Sequence, residues 1–239
     1  LETYKTYNPE WNIIVLDDAH LDNYIEADVA KQIINSKLRV SHRSDLIRIY
    51  LLAKFGGVWA DLTTGCTRPL DWVQKYVQSQ MILYTYESTA NISSWFIACP
   101  QSSILASKLQ NALLKYIHQH KWEYIDEYFI FHKIFSTLIL TDEVFKSVYR
   151  FSPKLSSQNA HTFQQDNALN KPLTTNNRAK VDAPFTSAIY KLYGRSHSEI
   201  DISAGTYANY LFVKLLGQNE HLGGLCKTDC DTSEKQNKA

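Results

Sequence analysis

The sequence predicts a single α/β domain, and three observations support this fold class. Short apolar, β-branched runs alternate with helical segments through the first half of the chain. The second half is mainly helical in pattern. The 239 residues contain no internal repeat and no linker that would divide two cores. We therefore expect one domain over residues 1–216, followed by a polar tail at 217–239.

The elements of the first half are bounded by turn and cap residues. Asn8-Pro9 should end the first helix, Ser41 and Ser44 are candidate N-caps, and Gly56-Gly57 should end the helix that follows them. The predicted elements are a helix over 1–7, a buried strand over 11–16, helices over 28–34 and 45–55, a strand over 58–60, a loop over 63–69, and strands over 81–86 and 94–98.

In the second half, helical periodicity is clearest from Ile104 to Ile117, where apolar residues recur on one face. A polar stretch over 152–184 predicts loop and surface helix. The remaining predicted elements are helices over 123–140 and 142–149, a late strand over 187–192 and a closing helix over 205–216.

Charge and cysteine content exclude several classes of protein. With 25 Lys and Arg against 24 Asp and Glu, the chain lacks the basic surplus of a nucleic-acid-binding protein, and we expect no nucleic-acid partner. No apolar run approaches the 18 residues of a membrane-spanning helix. Cys66 and Cys99 are predicted to be buried free thiols, while Cys226 and Cys230 in the tail lack further ligands for zinc. A reducing, cytoplasmic compartment fits this usage.

The most informative segment runs from Ser44 to Thr63 and reads SDLIRIYLLAKFGGVWADLT. Asp45 and Arg48 are three residues apart, so they share one face of the predicted helix, with Asp45 in its first turn. The strand after the glycine pair delivers Asp61 at its carboxyl end, where ligands bind in open α/β sheets. Asp61 and the hydroxyls of Thr63 and Thr64 are oxygen ligands suited to Mg²⁺ or Mn²⁺.

A purely structural interpretation of the same residues is equally compatible with their spacing. Asp45 would then be a helix cap, Arg48 its surface partner and Asp61 a turn residue at a strand end.

The same segment resembles the central motif of glycosyltransferases with the A-type nucleotide-sugar-binding fold. The resemblance is closest to bacterial capsular polysaccharide synthesis proteins, relatives of mannosyltransferase-like sugar transferases and of clostridial glucosylating toxins. Three further stretches resemble family segments: 8–11, 127–132 (EYFIFH) and 184–193 (PFTSAIYKLY). The resemblance implies a Rossmann-like domain with a mixed central sheet and a helical second half.

The resemblance also implies a metal site. Asp61 takes the place of the first Asp in the family's Asp-x-Asp motif, which contacts the donor ribose and the metal. Thr63 stands where the second, metal-chelating Asp would be, and a neutral hydroxyl is a weaker ligand. A further ligand near the C-terminus would fall on His197 or His221. The implied cofactor is Mn²⁺ or Mg²⁺.

The remaining implied roles concern the donor sugar and its diphosphate. Asp45 and Arg48 would approach the sugar hydroxyls and the phosphates, since a guanidinium binds a diphosphate through paired hydrogen bonds. Lys191 and Trp59 are candidates for contacts with the diphosphate and with the base or sugar. Glu127, or its neighbour Asp126, is the candidate carboxylate near the anomeric carbon, on the predicted helix over 123–140.

The implied activity is a retaining glycosyl transfer from a nucleotide diphosphate sugar, most simply a UDP-sugar, to a saccharide or lipid-linked saccharide acceptor in capsule or surface polysaccharide synthesis. Such acceptors suggest peripheral contact with the inner face of the membrane. Family members begin with a strand upstream of the helix that matches residues 1–7, so we expect further residues before Leu1.

Two other classes of function remain open at this point. The first is a catalytically degenerate sugar- or partner-binding domain of the same fold, which Thr63 and the absent upstream strand favour. The second is a phosphatase of the haloacid dehalogenase type, which would use Asp61 as nucleophile but needs an acid where Thr63 stands. Metal-dependent nucleotide binding would separate the transferase from the binding domain, and turnover of a phosphomonoester would indicate the phosphatase.

Overall fold

A four-stranded mixed sheet lies at the centre of the protein. The structure is a computed structural model, and it describes residues 1–77, 81–86, 92–164, 169, 171–192 and 201–217. The strands of the central sheet are β1 (Gly57–Ala60), β3 (Ile82–Thr85), β4 (Ile92–Cys99) and β5 (Lys154–Ser156). They follow the order β1-β4-β3-β5, in which β4 is antiparallel to both β1 and β3, and β5 is parallel to β3.

A second, two-stranded sheet pairs segments that are far apart in the sequence. β2 (Thr64–Cys66) and β6 (Ile189–Lys191) are antiparallel, with Thr64 opposite Lys191. Gly65 is the middle residue of β2, and a Cβ there would come within 3.2 Å of the Leu192 side chain. This sheet brings the late strand beside the turn that follows β1.

Helices cover the sheets on both sides. Alternate residues of β4 face two different cores: Ile97 and Cys99 pack with the helices of the larger core, while Phe96 and Ala98 pack with the smaller one. The helices are α1 (Glu2–Tyr7), α2 (Ala27–Asn35), α3 (Val40–Phe55), α4 (Asp71–Val77), α5 (Ile104–Gln119), α6 (Ile130–Thr141), α7 (Glu143–Arg150), α8 (Ser157–Ala160), α9 (Thr175–Asp182) and α10 (Tyr207–Leu215). The mixed α/β architecture predicted from the sequence is confirmed.

Several predicted boundaries are wrong. Residues 11–16 form no strand, and Ile14 and Val15 are exposed, so their apolar pattern does not mark a core element. α3 begins at Val40, five residues before the predicted start, and Ser41 and Ser44 are not its caps. The helix predicted over 123–140 begins only at Ile130. β2 and β5 lie in stretches predicted to be without strands, because their pairing partners are distant in sequence.

The cysteine prediction is confirmed for Cys66 and Cys99, which are buried free thiols. Cys226, Cys230, His197 and His221 lie outside the described residues, as does most of the predicted tail. Within the part of the chain that the structure describes, no helix combines the length and apolar character needed to cross a membrane.

Candidate functional site

The α3–β1 connection determines how the central motif is presented. Gly56 has φ +69°, and a Cβ at this position would lie 2.3 Å from the backbone nitrogen of Gln101. Gly57 follows with φ +84°. Only glycine fits at position 56, and the positive φ favours glycine at both positions. The pair therefore lets α3 end and the chain turn at once into β1. The tight turn brings the Arg48 side chain of α3 against Asp61, the residue after β1.

Arg48 is the buried centre of a charged cluster. Its guanidinium donates hydrogen bonds to Asp45 and, at 3.1 Å, to Oδ1 of Asp61. The group lies over the Trp59 ring at 5.1 Å and faces the Phe131 ring at 5.9 Å. One guanidinium thus joins two carboxylates, and the aromatic rings limit its movement.

Asp61 is held on several sides. Its backbone N–H donates to the carbonyl of Trp95 at 2.8 Å, which extends the β1–β4 pairing by one residue. The indole Nε1 of Trp59 donates to Oδ1 at 2.9 Å, the same oxygen that Arg48 binds. Oδ2 accepts a hydrogen bond from Nζ of Lys191 at 3.0 Å. Both carboxylate oxygens are therefore occupied by side chains of this protein.

Lys191 reaches the cluster from the second sheet. The β2–β6 pairing continues through a 2.9 Å bond from Leu192 N–H to the Thr63 carbonyl. This register places the Lys191 ammonium between Asp61 and the Thr63 hydroxyl, to which it also donates. Asp61 and Lys191 are 130 residues apart in the sequence. Their contact depends on the pairing of β2 with β6, which local sequence patterns do not predict.

Burial decreases from Asp45 and Arg48 towards Asp61. The side chains of Arg48 and Asp45 are 4% and 10% exposed, that of Lys191 is 11% exposed and that of Asp61 is 25% exposed. Asp61 is therefore the most accessible member of the cluster, while Lys191 is buried to about the same extent as Asp45. A ligand from solvent would meet Asp61 first.

Burial and neighbouring charge move the pKa values of the two carboxylates in opposite directions. Burial raises the pKa of Asp45 to about 6, although Arg48 opposes the rise. For Asp61, burial also raises the pKa, but the charges of Arg48 and Lys191 outweigh it and leave the pKa below its ordinary value. Burial lowers the pKa of Lys191, and the charge of Asp61 opposes that effect.

We expect replacement of Asp45 by asparagine to remove part of the pH dependence of stability. Because the folded-state pKa of Asp45 is raised, its stabilising contribution is present below pH 4 and is lost as the pH rises through about 6. Two pKa units correspond to about 3 kcal/mol. The free energy of unfolding of the wild type, minus that of Asp45→Asn, should fall by this order between pH 4 and pH 7.

Urea unfolding at four pH values would measure this difference, and carboxylates shared by both proteins cancel in the subtraction. A difference that stays constant across the range would contradict the prediction. Asp18→Asn, at an exposed carboxylate outside the cluster, is the matched control.

The start of α6 contributes a residue that the sequence analysis did not single out for a role. His132 is half-buried, and removal of its ring from water together with the charge of Arg48 lowers its pKa to about 4, so the ring is neutral at physiological pH. Its Nδ1 and the Nε of Arg48 have no hydrogen-bond partner among the described residues. Buried polar atoms without a partner are uncommon and often occur at functional sites. The resemblance over 127–132 was the available signal for His132.

The structure does not bring Asp126 and Glu127 into the cluster. Both lie in the loop before α6 rather than on a helix. Asp126 is paired with Arg39 at 2.7 Å and its side chain is 95% exposed. Glu127 is paired with Lys133, accepts a hydrogen bond from the backbone N–H of Phe129, and lines a groove between α5 and α6 that none of the cluster residues lines. Their predicted role near an anomeric carbon stays a prediction.

The donor set of the described residues does not fit the divalent cation that the resemblance implies. Mg²⁺ and Mn²⁺ require several free oxygen ligands. Both oxygens of Asp61 accept hydrogen bonds from cations or from Trp59, and Thr63 accepts one from Lys191. The Thr64 hydroxyl is used by the Asp61 carbonyl and Tyr4. Across the described ranges, no group of three His, Cys, Asp or Glu side chains could hold a metal. His221 is not among those residues.

The cluster thus combines two cations, two carboxylates and an aromatic platform at the end of β1, and its residues can bind a polar, anionic ligand. The chain belongs to the capsular polysaccharide synthesis protein family, which it matches over residues 1–211.

The chain is also similar to inositol phosphoceramide mannosyltransferase 1 of Schizosaccharomyces pombe, with 25% identity over 116 residues. That region is 48% of this chain and 35% of the relative, so the chain spans about a third of the length of the curated relative it matches. No solved structure matches the chain.

Proposed function

We propose that this protein is a glycosyltransferase that uses a nucleotide diphosphate sugar as donor. The observation that carries the proposal is the convergence of Arg48 and Lys191 on Asp61 at the end of β1. Two fixed cations beside a strand-end carboxylate can bind a diphosphate and a ribose or sugar hydroxyl together. Family membership and the similarity to a protein named as a mannosyltransferase support this choice over other anionic ligands.

In the proposed reaction, the bond between the anomeric carbon and the β-phosphate oxygen breaks, and the nucleoside diphosphate leaves with the bonding electrons. The oxygen of an acceptor hydroxyl bonds to the anomeric carbon, and its proton passes to the departing phosphate. Arg48 and Lys191 stabilise the negative charge that develops on the leaving group. Trp59 and the Asp61 carboxylate keep these cations in place before the donor arrives.

The finer features of the proposal come from the family resemblance. Attack on the face from which the diphosphate leaves would retain the anomeric configuration, without a protein nucleophile. UDP is the expected nucleotide, and the expected acceptor is a saccharide or a lipid-linked saccharide in capsule or surface polysaccharide synthesis. The name of the relative, which includes a ceramide, supports an acceptor that carries lipid. A cytoplasmic location with contact at the inner membrane face is part of this proposal. Metal assistance through Asp61 stays a prediction of the resemblance, and the donor set of the described residues does not support it.

A donor panel tests the proposal directly. The purified protein is incubated with UDP-hexoses, GDP-mannose and CMP-linked sugars in the presence of Mn²⁺, with and without oligosaccharide and lipid-linked acceptors. We expect one nucleotide class to release nucleoside diphosphate, and proton NMR of the product to show the anomeric configuration of the donor. Release of phosphate from a phosphomonoester with no use of any sugar nucleotide would contradict the proposal.

Two observations favour a second candidate, a catalytically degenerate binding domain of the same fold. Thr63 replaces an acid of the family motif, and internal side chains occupy both oxygens of Asp61. In that case a nucleotide or a sugar would bind, but no donor in the panel would be turned over with any acceptor.

A further inference from the structure

The position of the Lys191 ammonium is unusual for a motif related to Asp-x-Asp. The nitrogen lies between Oδ2 of Asp61 and Oγ1 of Thr63, the two side chains that correspond to the metal-binding positions of the motif. The ammonium therefore stands where a divalent cation would have to sit to use these oxygens. It is held there by pairing of β2 with β6, since Thr64 is directly opposite Lys191.

The charge balance of the cluster also argues against a divalent cation between Asp61 and Thr63. Asp45 and Asp61 carry two negative charges when ionised, and Arg48 and Lys191 carry two positive charges. A dication placed between Asp61 and Thr63 would be next to the Lys191 ammonium, and like charges at this distance repel strongly where solvent is largely excluded. The cluster is already neutralised without a metal.

The hydrogen-bond inventory leaves capacity for a ligand. A lysine ammonium has three N–H donors, and two of those of Lys191 are used by Asp61 and Thr63. The third donor has no partner among the described residues. Nε of Arg48 is also unpaired within that part of the chain. Nε of Arg48 is buried, so the third donor of Lys191 is the one left for a ligand, and a phosphate oxygen is an acceptor that suits it.

We infer that Lys191 takes the place of the divalent cation in this protein, so that its ammonium, supported by the charge of the buried Arg48, binds the diphosphate of the donor without a metal. This inference rests on the proposed function. The positive charge that a metal would supply beside the motif then comes from a side chain that lies about 130 residues after Asp61 in the sequence. The metal would then be dispensable for donor binding, although the motif resembles a metal-binding one.

Calorimetric titration of the wild type with UDP, GDP and UMP, each in EDTA and in Mn²⁺, tests the inference without any variant. We expect one nucleoside diphosphate to bind with affinities that agree within about twofold between the two conditions, and UMP to bind more weakly because it lacks the second phosphate. Binding that appears only with Mn²⁺ would overturn the inference and leave the proposed function standing. If no nucleotide binds in either condition, the proposed function fails and the inference fails with it.

The variant Lys191→Met supplies a second readout. In EDTA its affinity for the same nucleotide should fall at least tenfold. Mn²⁺ should restore part of that affinity, because loss of the ammonium frees Asp61 and Thr63 as oxygen ligands. A merely structural role of Lys191 would not produce rescue by a metal. The control Lys54→Met removes a lysine that is paired with exposed Glu26, and its affinity should not change. An unchanged affinity of Lys191→Met in EDTA would contradict the inference.

Discussion

Replacement of Arg48 by methionine is expected to lower the free energy of unfolding by about 3–5 kcal/mol, the usual cost of removing one partner of a buried ion pair. The variant leaves Asp45 buried without its guanidinium, and Asp61 loses one of its two cations. Methionine fills a similar volume between the Trp59 and Phe131 rings, so that lost charge pairing, rather than a cavity, dominates the effect.

Arg43→Met on the same helix is the matched control. Arg43 lies 3.6 Å from Asp18, whose side chain is 63% exposed, so its loss should cost about 1 kcal/mol or less. Urea unfolding at pH 7 and pH 5 measures both variants. The loss for Arg48→Met should be smaller at pH 5, because Asp45, with a pKa of about 6, becomes protonated and no longer needs a cation. Equal losses in the two variants would show that the cluster does not depend on Arg48.

Replacement of Asp61 by asparagine is expected to lower kcat/KM at least about 100-fold for the donor that the panel identifies. That is the usual size of loss when one preorganised electrostatic partner is removed from an active site. The asparagine carbonyl can still accept from Arg48 and Trp59, but its amide N–H groups would then face the Lys191 ammonium. Two donors cannot pair, so Lys191 should leave its position beside Thr63.

Asp18→Asn tests whether any aspartate paired with an arginine of α3 has the same effect. Asp18 pairs with Arg43 outside the cluster, and kcat/KM for this variant should stay within about twofold of the wild type. Circular dichroism and thermal unfolding establish that both variants are folded. The role of Asp61 would be disproved by a folded Asp61→Asn protein with wild-type kcat/KM.

Local sequence patterns identified most of the elements that surround the site. The glycine pair after α3, the short strand β1 and the Asp61 that follows it were all predictable, because each depends on residues within a few positions. The start of α3 was not predictable in the same way. The serines at 41 and 44 suggested caps, but α3 begins at Val40, and Asp45 therefore lies beyond the first turn. Its environment is decided by burial against Arg48 rather than by the helix dipole.

In the segment before α6, the sequence pattern did not indicate which side chain lies near the cluster. Its acidic residues, Asp126 and Glu127, suggested a catalytic role, yet they pair with Arg39 and Lys133 away from the cluster contacts. His132 lies only a few residues later, and its pKa is lowered by burial and by the charge of Arg48. Charge and spacing cannot distinguish these outcomes, because the direction of each side chain depends on where the helix begins.

The sequence by itself determined the α/β class, the family resemblance and the set formed by Asp45, Arg48 and Asp61. These features are local, and the turn at Gly56-Gly57 brings the three residues together over a short stretch of chain. Only the tertiary structure decided that Lys191 fills the position between Asp61 and Thr63. That contact depends on the pairing of β2 with β6, two strands of three residues more than 120 positions apart. Such pairing is selected by the packing of the whole domain, since strands this short carry too little local preference to specify a partner.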